Sequence, residues 1–119
     1  MSSIKIIDIL GVKVSTVNMD TTCHIIEEWI KQGVQQYICV TSVHGIIEAQ
    51  KDKHLLNILH YAGLNVPDEK SLSLIGRMLE YRSIERVYGP DLMLSVCRLS
   101  AKRVIQITFM EARKGLQKN

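Results

Sequence analysis

Residues 36–41, QYICVT, form a run with no charge in it, and this run most constrains the fold. A continuous apolar strand of this kind suits a parallel sheet, where both faces of the strand are buried. The segment behind it, SVHGIIEAQKDKHLLNILHYAG at 42–63, reads as helix, with a break near Lys51-Asp52-Lys53 and a stop at Gly63. LNV at 64–66 then reads as a second short strand, and Pro67-Asp68 turns into a further helix, EKSLSLIGRMLEY.

The flanking segments extend the alternation. IKIIDILGVKVSTV at 4–17 holds two β-branched runs around Gly11 and predicts a hairpin. NMDTTCHIIEEWIKQG predicts a helix that Asp20 or Thr21 can cap, with Ile25, Ile26, Trp29 and Ile30 on one face and Gly33 as the stop. SIERVYGPD is strand or loop with a tight turn at Gly89-Pro90. DLMLSVCRLSAK is a helix with Asp91 as a possible cap. VIQITFM at 104–110 reads as a last strand. The expected class is α/β: a mostly parallel, Rossmann-like sheet flanked by helices, with an N-terminal β-hairpin. A chain of 119 residues predicts one domain, here 1–110, followed by a basic polar tail at 111–119.

Composition narrows the function. Hydrophobic residues make up 46% and charged residues 23%, as in an ordinary globular protein. Aromatic residues are only 5%, too few for a platform that stacks single-stranded nucleic acid. Arg98, Lys102, Arg103, Arg113, Lys114 and Lys118 face only Glu111, so the carboxyl end is basic. Such an end can touch phosphates or an anionic membrane, or be a solvated terminus. With no reading element beside it, a nucleic-acid partner is not expected. Cys23, Cys39 and Cys97 are widely spaced and odd in number, which fits reduced thiols in a cytosolic protein. The amino end MSSIKIIDIL carries Lys5 and Asp8 within its apolar stretch, so neither a signal peptide nor a membrane span is read there.

His24, His44, His54 and His60 show no metal-ligand spacing, and no cofactor loop of the GxGxxG or GxxxxGK[ST] type occurs. The expectation is therefore no metal and no cofactor. In parallel sheets ligands gather beyond the carboxyl ends of the strands. That rim holds Thr41, Ser42 and His44 after the first strand and Asp68 after the second. The hydroxyls and backbone N–H groups of VTSVHG suit a sugar or a phosphate, and they equally suit ordinary helix capping. Asp68 has the same two readings, a catalytic base or a cap.

The segments YICVTSVHGIIEAQKDKHLLNILHYAGLNVPD, LIGRML and RVYGPDLMLSVC, in this order and spacing, closely resemble the amino-terminal half of the WecB/TagA/CpsF glycosyltransferase family. The likeness runs from about Ile4 to Ala101. The resemblance implies an inverting transfer of an N-acetylmannosamine-type or related hexose from a UDP donor to a polyprenyl-diphosphate-linked sugar. It also implies no metal at the reaction centre, and work on the cytoplasmic membrane face in teichoic acid, common antigen or exopolysaccharide assembly. By the same resemblance Asp68 is the general base, Thr41 lines the sugar pocket and Asp91 borders it. Arg77 and Arg86 are the arginines nearest the strand ends that could meet the diphosphate leaving group.

The chain also departs from the family. Where members read PDGMPLVW, it reads PDEKSLSL, so Glu69 brings bulk and a like charge beside Asp68 where a glycine would allow close approach. After LSAK the family continues into a second half of the sheet. A strand at 104–110 without that neighbour is expected to be an apolar edge that self-associates or takes a complementary chain. The resemblance thus predicts a truncated glycosyltransferase, cytoplasmic or peripheral on the inner membrane face. A non-catalytic α/β module that binds a partner or the membrane face is the alternative.

Overall fold

The computed structural model describes residues 4–103. The expected strand at 104–110 and the basic tail at 111–119 lie outside the described residues.

The chain opens with a hairpin, β1 (Ile6–Ile9) against β2 (Val12–Ser15), with Ile6 opposite Ser15 and Ile9 opposite Val12. Leu10 and Gly11 both take positive φ, 51° and 84°. A two-residue hairpin turn needs that backbone, and glycine adopts it without strain. Asp8 Oδ1 accepts the Gly11 N–H at 2.8 Å.

Helix α1 (Met19–Gln32) follows. Its cap is Asn18, whose Oδ1 accepts the Thr21 N–H, so neither expected capping residue fills the position; Asp20 and Thr21 are already inside the helix. Gly33 ends it at φ 70°, as its sequence position predicts. Strand β3 (Ile38–Thr41) leads to α2 (Val43–Lys51), then α3 (Lys53–Tyr61), with the break at Asp52 where it was expected. The Asp52 carboxylate accepts the N–H groups of His54 and Leu55. The backbone then runs through β4 (Leu64–Pro67) into α4 (Lys70–Met78). The final described helix, α5, is Gly89–Arg103. Gly89-Pro90 was expected as a tight turn, but it opens this helix, as proline is well placed to do in a first turn. Asp91 therefore lies within the first turn of α5 rather than capping it.

Strands β3 and β4 are parallel, with Ile38 opposite Leu64 and Thr41 opposite Pro67. Parallel pairing and α/β class agree with the sequence. A mostly parallel Rossmann-like sheet is not what the described residues form: they make two two-stranded sheets, one parallel and one the antiparallel hairpin. A side chain joins the sheets where a ladder would be expected. Asn65 Nδ2 donates to the carbonyls of Lys13 (2.7 Å) and Leu59 (2.8 Å), and its backbone N–H donates to Ser15 Oγ (3.1 Å).

Two apolar clusters flank the parallel pair. Leu64 and Val66 pack with Val17, Ile25, Ile26, Val87 and Leu92 on the side of α1 and α5. Cys39 packs on the other side, where Ile7, Val12, Val14, Ile46, Ala49, Leu59, Leu72 and Ile84 join the hairpin to α2, α3 and α4. The sheet thus has helices on both faces, which leaves its strand ends as the accessible rim. Strand β3 is less buried than its uncharged sequence predicts: Val40 is 45% exposed. Among the described residues β3 pairs with β4 alone, so one edge has no neighbouring strand. Gly76 of α4 is buried, and a Cβ there would lie 2.8 Å from Ile84 side-chain carbons. Glycine lets this helix sit directly on the core.

Candidate functional site at the strand ends

The carboxyl ends of β3 and β4 lie side by side, and the Asp68 N–H donates to the Thr41 carbonyl at 2.9 Å. This bond continues the ladder one step past its last pair and places Asp68 beside Thr41. Thr41 is buried, and its Oγ1 donates a long bond, 3.4 Å, to the Cys39 carbonyl. Ser42 caps α2, its Oγ accepting the Gly45 N–H at 3.1 Å. His44 is exposed on the first turn of α2.

Asp68 does not cap the helix that follows it in sequence. Glu69 holds that position, and no side chain caps α4. The Asp68 carboxylate crosses instead to α5, where Oδ1 accepts the Gly89 N–H at 3.2 Å. Arg86 lies 3.9 Å from the same oxygen and donates from Nε to the Asp68 carbonyl at 2.6 Å. Its guanidinium stacks over the Tyr88 ring, 4.6 Å from the centroid. Val87 N–H donates to the Pro67 carbonyl at 2.7 Å, so the loop before α5 is tied to the end of β4. Asp91 sits exposed in the turn that Gly89 begins.

Glu69 has a task that its position in the sequence does not disclose. Its Oε1 accepts the Val43 N–H at 2.8 Å, at the start of α2. Two consecutive carboxylates after β4 thus diverge to the amino ends of two different helices, where orphan N–H groups and the helix dipole favour negative charge. Cys39, one strand position from Val40, is no ready nucleophile, because burial pushes its thiol above the usual range.

The structure therefore gathers Thr41, Ser42 and Asp68 at one rim and brings the first turn of α5, with Asp91, to the same place. His44 is on that rim but faces solvent. Glu69, Arg86 and Gly89 complete the arrangement. Their roles escaped sequence reading because each partner is more than fifteen residues away. Arg86 had a signal, as an arginine near the strand ends, and Glu69 had one as the residue that stands where the family has glycine.

A carboxylate at a strand end, anchored through one oxygen by a backbone amide and partly open (27% exposed), can accept a proton from an incoming alcohol. The Thr41 and Ser42 hydroxyls beside it suit an oxygen-rich substrate. A search of curated proteins finds no match for the chain. The Glycosyl transferase WecG/TagA/CpsF family model does match it, over residues 7–119, and the chain belongs to that family.

Proposed function

We propose that this protein transfers an N-acetylmannosamine-type or related hexose, with inversion, from a UDP donor to a polyprenyl-diphosphate-linked sugar in cell-surface polysaccharide synthesis. Family membership supports glycosyl transfer and the polysaccharide setting. The observation that carries the residue assignment is the Asp68 carboxylate, held at the end of β4 by the Gly89 N–H.

In this reading Asp68 removes the proton of the acceptor hydroxyl. The freed oxygen pair forms the bond to the anomeric carbon from one face. The bond from that carbon to the donor phosphate oxygen breaks on the other face, and its electron pair leaves with UDP. Thr41 and Ser42 contact the sugar, His44 adds a polar group at the rim, and Asp91 borders the pocket. Arg86 positions Asp68 through its bond to the Asp68 carbonyl. No helix among the described residues is long and apolar enough to cross a membrane. The chain meets its lipid-linked acceptor as a peripheral protein on the cytoplasmic face.

The test is release of UDP from UDP-N-acetylmannosamine in the presence of a synthetic prenyl-diphosphate-linked sugar. Asp68→Asn keeps an oxygen for the Gly89 N–H but cannot take a proton. It is expected to lower kcat by roughly 10²–10⁴-fold, the usual worth of a general base, with little change in KM. Turnover by Asp68→Asn equal to that of the unaltered chain would remove the base from this account.

A further inference from the structure

The outer side of α4 combines two chemistries that the transfer reaction leaves unused. A cleft of about 510 Å³ is lined by Lys70, Ser73, Arg77, Arg86 and Glu85 together with Leu74. Its charged lining is three cations against one carboxylate. The Arg77–Glu85 pair is long, at 3.8 Å, with both side chains more than half exposed. Such a pair contributes little. Arg77 Nε donates to the Ile84 carbonyl at 3.3 Å, which holds the guanidinium at the cleft and leaves its terminal N–H groups for a better anion than Glu85. The cleft between α1 and α5 sets Arg98 against Glu27 and has no such surplus.

The second chemistry is apolar. Leu74 is 59% exposed and Met78 is 75% exposed, while Leu72 and Gly76, on the other side of the helix, are buried. Positions 70, 74, 77 and 78 fall on one stripe of an α-helix. Lys70, Leu74, Arg77 and Met78 therefore line up with cations and apolar side chains alternating, so each apolar side chain has a cation beside it.

We infer that this face of α4 is the subsite for the diphosphate and the first isoprene units of the lipid-linked acceptor, a proposal that rests on the transferase reading above. Charge complementarity selects the ligand. Lys70, Arg77 and Arg86 match a diphosphate, and arginine in particular matches phosphate with paired N–H donors. Free phosphate has no use for Leu74 and Met78, whereas a prenyl diphosphate presents an apolar chain directly after its anionic group. Arg86 ties the subsite to the reaction centre, since it lines the cleft and bonds the Asp68 carbonyl. An acceptor held there by its diphosphate would present its sugar hydroxyl towards Asp68.

The experiment titrates the full chain with farnesyl diphosphate and with inorganic pyrophosphate by calorimetry, both without donor. Farnesyl diphosphate is expected to bind roughly tenfold more tightly, from partial burial of two apolar side chains. Lys70→Ser combined with Arg77→Gln should weaken both ligands by roughly tenfold or more. Leu74→Ser combined with Met78→Ser should weaken farnesyl diphosphate alone. All four positions are exposed, and circular dichroism checks that each variant folds. Equal affinity for the two ligands would overturn the prenyl part, and unchanged binding in the Lys70/Arg77 variant would overturn the subsite. Neither ligand carries a sugar nucleotide. A chain that binds farnesyl diphosphate as described but never releases UDP would sink the transferase reading and not the subsite.

Discussion

Helices α2 and α4 start in equivalent places, each directly after a parallel strand, yet their amino ends are treated in opposite ways. The start of α2 receives two caps: Ser42 Oγ takes the Gly45 N–H, and Glu69 Oε1 reaches in from beyond β4 to take the Val43 N–H. The start of α4 receives none, because Glu69, the residue in capping position, has turned its carboxylate away to α2. Asp68, next to it, is likewise committed to α5. The comparison shows carboxylates doing tertiary work at the rim: they stitch two helices, α2 and α5, to the end of β4 and leave a third, α4, with its first turn uncapped, beside Lys70 and the cationic cleft.

The contrast can be broken by removing its two anchors. Asp68→Ala deletes the carboxylate that holds Gly89 and faces Arg86. It is expected to destabilise the fold by about 2 kcal/mol, the usual size for a hydrogen bond to a charged group, read as a lower urea midpoint. Glu69→Ala frees Val43 while Ser42 still caps α2, so its expected cost is smaller, about 1 kcal/mol. If Glu69→Ala proves as costly as Asp68→Ala, the two carboxylates are not independent, and a double-mutant cycle will show coupling.

Two milder changes sharpen it. Glu69→Ser gives up Val43 but offers α4 the cap it lacks, so the net loss should be about half that of Glu69→Ala. Lys70→Glu puts a negative charge in the first turn of α4 and should stabilise slightly, by about 0.3–0.5 kcal/mol, an effect that fades with added salt. The same substitution should weaken pyrophosphate binding. A gain in both stability and anion affinity would contradict the account of this helix end.

Much of the fold was legible because its signals are local. Gly11 at a two-residue turn, Gly33 after an apolar helical face and Asp52 between two helical runs each act within four residues of themselves, and each did what its position predicts. Elements whose cues compete locally were misread. Asn18, Asp20 and Thr21 are all competent caps, and Asn18 fills the position while also donating from Nδ2 to the distant Ser83 carbonyl. Gly89-Pro90 can make a turn or open a helix, and the carboxylate waiting at Gly89 accompanies the second outcome.

The candidate site divides along the same line. Strand ends carrying Thr41, Ser42 and Asp68 follow from the alternation of strand and helix, and parallel pairing then brings them to one rim. What Asp68 and Glu69 bind does not follow, since Gly89 and Val43 are twenty-one and twenty-six residues away.

Sequence alone determined the α/β class, the hairpin, the parallel strand pair and the family, because hydrophobic period, glycine positions and motif order are properties of neighbours along the chain. Only the tertiary structure decided that the hairpin joins the parallel pair through Asn65 rather than a ladder, that Asp68 and Glu69 serve helices other than their own, and that α4 presents Leu74 and Met78 to solvent. Hydrogen-bond partners and burial depend on which distant groups arrive in space, and local pattern carries no record of that.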